Sequence, residues 1–316
     1  LRDTAPQALV NRLAPEKQRR KRKTEKEAKA MTTETDGCSP AQKKTATESE
    51  IRVRTGAVIT LTGILVLYFS RYAYVLEAAA AMLSIMGIVE LLRAAKCYTW
   101  YNVLLLSLIA AAVCMRRLPY YTEILLFVWV LAIAAFSLFM SRMKEIHFIG
   151  FWGILPCALM LPIFFYSAVE IRQWPQGLAV LIFVTLGCMA NDVAAYLVGK
   201  AIGTHKLAPT ISPGKTVEGG LGGMVSSVIL MSLIASLYSQ CAGVEMRYGW
   251  LILYLFLASI VGQFGDLSMS TIKRTVGIKD FSRVLPGHGG ILDRFDSFLF
   301  VAPFAVIYGN MTGCFL

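Results

Sequence analysis

Three carboxylates define the chemistry this sequence can do. Asp266 stands in Gly265-Asp266-Leu267, near the end of an apolar run, and Asp293 and Asp296 lie three apart where the last apolar run begins. Residues three apart share a helical face. An ionised carboxylate at a membrane boundary is costly unless it is paired or binds a cation. Three that converge suit a hard divalent cation, Mg2+ above all, which prefers oxygen ligands and completes its shell with substrate phosphates. Asp293 and Asp296 also fit as helix N-terminal caps, which the macrodipole favours. The apolar setting of Asp266 favours the metal reading.

Around the acids lie Lys273, Arg274, Lys279, Arg283 and Arg294. Fixed positive charge beside acids fits a polyphosphate bridged by metal. Flanking charge at a membrane border explains Lys273 and Arg274 as well, but explains less of Arg294, which sits between two acids. Pro286-Gly287-His288-Gly289-Gly290 is a permissive turn whose backbone N–H groups can approach an anion. His288 reads as a phosphate donor or a structural hydrogen-bond donor. A phosphate nucleophile is already ionised at neutral pH and needs no base.

A second polar stretch follows Asn191-Asp192, another acid at the end of an apolar run. Gly214-Lys215-Thr216 imitates the end of a P-loop, but Pro209 occupies the place of that loop's first glycine, so a Walker site is rejected. Ser212, Lys215, Thr216 and Glu218 remain around a turn that opens the next helix. Ser212, Lys215 and Thr216 can offer hydroxyl and ammonium donors to a phosphate, or Ser212 or Thr216 can cap the helix.

The elements that must position these groups are hydrophobic helices. Of 316 residues, 56% are hydrophobic and 16% charged, against about 25% charged in an ordinary soluble domain. The seven cysteines are scattered without a C-x-x-C pair. A disulfide-stapled secreted fold, a zinc ribbon and a disordered chain are excluded. The expected fold is all-α, a polytopic integral membrane protein of about nine spans near 56–72, 74–94, 99–115, 120–141, 147–169, 176–199, 218–240, 248–270 and 293–314. With a cytoplasmic N-terminus, the inner connections collect most of the Lys and Arg, while Arg71, Arg116, Arg117, Arg172 and Arg247 fall outside. The two polar connections, about 200–217 and 271–292, then face the cytoplasm together.

Two domains are expected: a disordered basic cytoplasmic tail over 1–54 and a membrane-embedded catalytic domain over 55–316, with its informative region at 191–296. The tail holds +6 of the net charge of +11 and carries Gln18-Arg19-Arg20-Lys21-Arg22-Lys23. No aromatic residue stands among residues 1–54 to stack on a base. The tail is therefore expected to meet anionic lipid and not nucleic acid.

Ser270-x-x-Lys273-Arg274-x4-Lys279-Asp280, then Pro286-Gly287-His288-Gly289-Gly290, then Asp293-Arg294-x-Asp296 resembles the signature of the phosphatidate cytidylyltransferases, also called CDP-diacylglycerol synthases. Ser212-Pro213-Gly214-Lys215-Thr216-Val217-Glu218-Gly219 resembles that family's upstream motif. The chain departs from the pattern at Met269, where an acid is usual, and at Val193-Ala194 after Asp192.

The resemblance implies an integral membrane nucleotidyltransferase of phospholipid biosynthesis. Such an enzyme joins CTP and phosphatidic acid to give CDP-diacylglycerol and pyrophosphate. It implies a mostly helical homodimer in the cell inner membrane or its equivalent, with membrane lipid around it and the active site facing the cytoplasm. It also implies Mg2+, with room for a second cation of unspecified identity. By position, Asp266, Asp293 and Asp296 would hold metal. Ser270, Lys273, Lys279 and Arg294 would be catalytic, supplying phosphate contacts and fixed positive charge. Ser212, Lys215, Thr216, Arg274, His288 and Gly289 would bind substrate. A CTP-dependent polyprenol- or dolichol-type lipid kinase would use similar groups. An ion-coupled transporter could use Asp192 and Asp266, but would not require basic residues and glycines packed into one connection.

Overall fold

The computed structural model describes residues 40–72, 74–96, 98, 100–114 and 148–315. These form helices α1 (Pro40–Phe69), α2 (Val75–Ala94), α3 (Trp100–Cys114), α4 (Phe148–Arg172) and α5 (Gly177–Ile202), then strands β1 (Lys206–Ala208) and β2 (Ser212–Thr216). Helices α6 (Val217–Ala242), α7 (Tyr248–Thr275), α8 (Leu292–Phe295) and α9 (Phe298–Thr312) complete them. Among the described residues, five helices are long and apolar enough to cross a bilayer: Glu50–Phe69, Val75–Ala94, Gly177–Ile202, Val217–Ala242 and Tyr248–Thr275. The architecture is mostly helical and multi-pass. The span expected at 120–141 lies outside the described residues, as does most of the expected tail. The rest of that tail, from Pro40, belongs to α1 and is helical.

Exposed apolar side chains dominate these helices, as lipid-facing surfaces require. Val58, Leu61 and Ile64 on α1, and Leu221, Val225 and Ile229 on α6, all face outward. In lipid each backbone polar group must be satisfied within its own segment, which a helix does and a lone strand cannot.

Two details depart from the expected, mostly helical fold. First, the architecture is not purely helical. Residues 206–216 form a small antiparallel hairpin, with Lys206 opposite Thr216 and Ala208 opposite Ser212. Pro209 and Pro213 lack an N–H and bar a helix here, so the strands satisfy each other. Second, the last expected span, 293–314, is divided into α8 and α9 around Asp296-Ser297.

Within residues 55–316, α2, α3 and α4 pack together, as do α5, α6 and α7. Helix α9 joins the two groups by packing on α4 and α7. The closest approaches use glycine. Gly219 and Gly223, four apart on α6, lie against the α5 backbone at Ala195 and Asn191, a small-residue seam of the kind that lets membrane helices touch. Gly265 on α7 does the same toward α9: a Cβ there would lie 2.9 Å from the Asp296 carbonyl oxygen and 2.7 Å from the Phe300 ring.

Gly265→Val is therefore expected to force α7 from α9 and destabilise the protein by about 1–3 kcal/mol. Activity should fall more than stability, because Asp266 and Asp296 would separate. Thermal melting read beside turnover checks this, and wild-type turnover in Gly265→Val would rule it out.

Candidate active site

Helix α7 presents Asp266, Ser270 and Lys273 at i, i+4 and i+7, one face of a helix. Ser270 and Lys273 are buried, whereas Asp266 is half-buried. The helix then stops in a Schellman turn. Gly277, at φ +75°, donates its N–H to the Arg274 carbonyl, and Ile278 donates to the Lys273 carbonyl. This turn sends the chain back across the end of the bundle toward α8.

The returning segment is built around Asp293. Its Oδ1 accepts from Lys273 Nζ at 2.7 Å, and its Oδ2 accepts from the N–H groups of Phe281 and Gly290, both at 2.9 Å. The Lys273 ammonium also lies 5.5 Å from the Phe281 ring centre. Leu285-Pro286-Gly287-His288 forms a turn with Gly287 at φ +74°, closed by the His288 N–H on the Leu285 carbonyl. Proline second and glycine third is the sequence that a type II turn requires. Gly289, at φ +86°, has the Asp293 carboxylate beside it.

A residue absent from the sequence reading anchors this segment. Glu90 of α2 is 3% exposed, and its carboxylate accepts from Ser282 Oγ at 2.6 Å, Ile291 N–H at 2.9 Å and Leu292 N–H at 3.0 Å. Gly290 has no room for a side chain because Glu90 fills that space. An acid inside an apolar span was the available signal, the same one that marked Asp192.

The hairpin brings in the second set of groups. Thr216 is the N-cap of α6, its Oγ1 accepting the Gly219 N–H at 3.1 Å, so the capping alternative holds for this residue. Glu218 accepts from the N–H groups of Thr204 and His205 and from Thr204 Oγ1. Arg274 donates to the carbonyls of Ile211 and Ile278, tying the hairpin tip to the end of α7. Its guanidinium thus performs a positioning task. Lys215 extends from β2 to pair with Asp266. Ser212 is half-buried on the same strand.

Asp192 and Asp296 both lie within electrostatic reach of Asp266, and Asp296 lies within reach of Asp192 as well. Ser297 donates its N–H to Asp296 and its Oγ to Asp192 at 3.4 Å. Gln263 fixes the frame beneath them, donating to Asn191 on α5 and to the Gly220 carbonyl on α6. The structure thus gathers Asp192, Asp266 and Asp296 with Lys215 on one side, and pairs Asp293 with Lys273 on the other. Arg294 and Lys279 are exposed at the rim, and His288 Nδ1 is buried without a hydrogen-bond partner among the described residues.

Among the described residues, no three acids, histidines or cysteines form a ready-made metal cage. The donor set still fits a hard cation. It offers carboxylate oxygens in a crowded, partly buried cluster, and Mg2+ needs one or two of them when substrate phosphates supply the rest. Carboxylates crowded in this way repel each other, and positive charge stabilises them.

Comparison with known proteins gives this arrangement its setting. A protein of Bacillus subtilis (strain 168) named phosphatidate cytidylyltransferase is 40% identical over 183 residues, which cover 58% of this chain and 65% of that protein. One of the same name from Staphylococcus aureus (strain COL) is 47% identical over 141 residues, covering 44% and 50%. Another, from Staphylococcus epidermidis (strain ATCC 12228 / FDA PCI 1200), is 46% identical over 128 residues, covering 40% and 48%. The chain spans about half to two thirds of the length of these curated relatives. The model of the Cytidylyltransferase family matches residues 50–312, which include every group of the site, and the chain belongs to that family.

Proposed function

We propose that this chain is a phosphatidate cytidylyltransferase, converting CTP and phosphatidic acid to CDP-diacylglycerol and pyrophosphate. The observation that carries the reading is the gathering of Asp192, Asp266 and Asp296 with Lys215, beside the Lys273–Asp293 pair, at one end of a lipid-exposed bundle. The relatives named for this activity support it.

A phosphatidate oxygen attacks the α-phosphorus of CTP in line. The new P–O bond forms as the bond to the α,β-bridging oxygen breaks, and pyrophosphate leaves with that electron pair. Catalysis is then mainly positioning and charge neutralisation. Asp266 and Asp296, with Asp192 beside them, would hold Mg2+, which when bound supplies Lewis-acid neutralisation of phosphate charge. Lys215 swings between Asp266 and a substrate phosphate. Lys273 holds Asp293, and through it the Gly290 backbone, in place. Arg294 and Lys279 at the rim meet the phosphates as they enter. The lipid tails stay in the bilayer throughout, which suits a site at the membrane border. The working enzyme is a homodimer in the cell inner membrane, with this end of the bundle facing the cytoplasm.

Purified protein given labelled CTP and phosphatidic acid, with and without chelator, tests the reading. Pyrophosphate and CDP-lipid are expected, and chelator should stop the reaction. CDP and a phosphorylated lipid alcohol would instead indicate a CTP-dependent lipid kinase, and no turnover with either lipid class would overturn the assignment.

A further inference from the structure

Far from the carboxylates, a polar cavity of about 230 Å3 lies between the α1–α2 turn and the end of α4. Its lining includes Ser70, Arg71, Tyr72, Glu77 and Arg172. Glu77 and Glu90 are both on α2, thirteen residues apart, so the cavity stands ~20 Å along that helix from the point where Glu90 holds the reaction segment. It therefore opens at the opposite end of the bundle.

Around it, Tyr68, Tyr72 and Tyr74 are 59%, 52% and 45% exposed. Exposed tyrosines clustered at the end of a spanning helix mark the headgroup layer of a bilayer. Two guanidinium groups meet there. Arg172, half-buried, donates its Nε to Ser70 Oγ at 2.9 Å, which fixes the plane of the group while its two terminal nitrogens make no bond to a described residue. Arg71 donates to Tyr72 Oη at 3.1 Å and lies 5.0 Å from the ring centres of both Tyr68 and Tyr72. Neither arginine has a carboxylate partner within ion-pair distance among the described residues. Against the single Glu77 carboxylate, the wall is net positive.

These arginines also run against the sequence's charge bias, since both fall on the side that the positive-inside rule leaves poor in basic residues. A planar fork of guanidinium donors at headgroup depth matches a phosphate and can bind it bidentately.

We propose that this cavity binds the phosphate of an anionic glycerophospholipid headgroup, in the leaflet opposite the one that the reaction centre meets. The bound lipid bridges the α1–α2 turn and the end of α4, and so ties α1 to the bundle.

The test uses the full chain in detergent, mixed with phosphatidylglycerol, phosphatidylcholine or inorganic phosphate. Retained lipid is counted by native mass spectrometry, and inorganic phosphate is followed by thermal shift. The wild type is expected to retain phosphatidylglycerol in preference to phosphatidylcholine. Each surface arginine near anionic lipid is worth about fivefold in affinity, so R71Q should weaken retention about fivefold and R71Q/R172Q about 25-fold. R71K/R172K keeps the charge but loses the fork, so its retention should lie between that of the wild type and that of R71Q/R172Q, and turnover should be unchanged in all three. Arg71 is exposed, so R71Q alone keeps the test open if Arg172 proves necessary for folding. Equal retention by the wild type and R71Q overturns the proposal. So does equal retention of the two lipids, or stabilisation by inorganic phosphate without lipid retention, which would assign the cavity to a soluble anion.

Discussion

Asp266→Asn is expected to lower the proposed cytidylyl transfer about 100- to 1,000-fold, the loss that follows removal of one charge-stabilising group from a reaction centre. The substitution keeps shape and volume and changes only charge. Asp266 joins the hairpin to the acid cluster: it pairs with Lys215 of the hairpin and stands within reach of both Asp192 and Asp296. Its side chain is 24% exposed and that of Lys215 27%, so the pair adds little to stability, under about 1 kcal/mol. Melting should therefore be near that of the wild type, and turnover within about threefold of wild type would remove Asp266 from the chemistry. Asp293→Asn is a poorer probe. The side chains of Asp293 and Lys273 are 3% and 11% exposed, and breaking a buried pair strands a charge at about 3–5 kcal/mol. Lost activity in that variant would mix chemistry with unfolding.

Glu90→Ala is expected to have the largest effect on stability. It removes the acceptor of three donors at once: Ser282 Oγ, Ile291 N–H and Leu292 N–H. Each hydrogen bond to a charged group is worth about 1.5–3 kcal/mol, so the total loss is at least about 3 kcal/mol even if water reaches one donor. The damage should be local first, because those donors belong to the segment that carries Gly290 and Asp293. Limited proteolysis should cut residues 276–291 faster, at a lower temperature than global melting, and turnover should fall with it. Glu90→Gln keeps one acceptor oxygen and should lie between. A Glu90→Ala protein with wild-type proteolysis and melting would mean that Asp293 and Lys273 hold the segment unaided.

Several parts of this arrangement were legible residue by residue. The apolar runs marked the helices because a bilayer imposes both length and composition on a span. The three-residue spacing of Asp293 and Asp296 placed both on one short helical turn, because 3.6 residues per turn is a local property of the chain. Glycine with proline in Leu285–Gly289 foretold a turn, because only particular backbone angles suit that order. The hairpin at 206–216 was missed, since its short strands are too polar to alternate and are held by contacts at both ends, from Arg274 and from Glu218.

By itself, the sequence determined which chemical groups were available and which segments carried them to a membrane border: acids, lysines and glycines in two polar connections. Only the tertiary structure decided the partnerships. Asp293 went to Lys273, Asp266 to Lys215 with Asp192 and Asp296 nearby, and Glu90 went to backbone donors in a segment remote along the chain. Periodicity fixes the direction in which a side chain leaves its own helix. It carries no information about which other helix lies there. That depends on where two backbones can approach, which here is set by the absence of a Cβ at Gly219, Gly223 and Gly265.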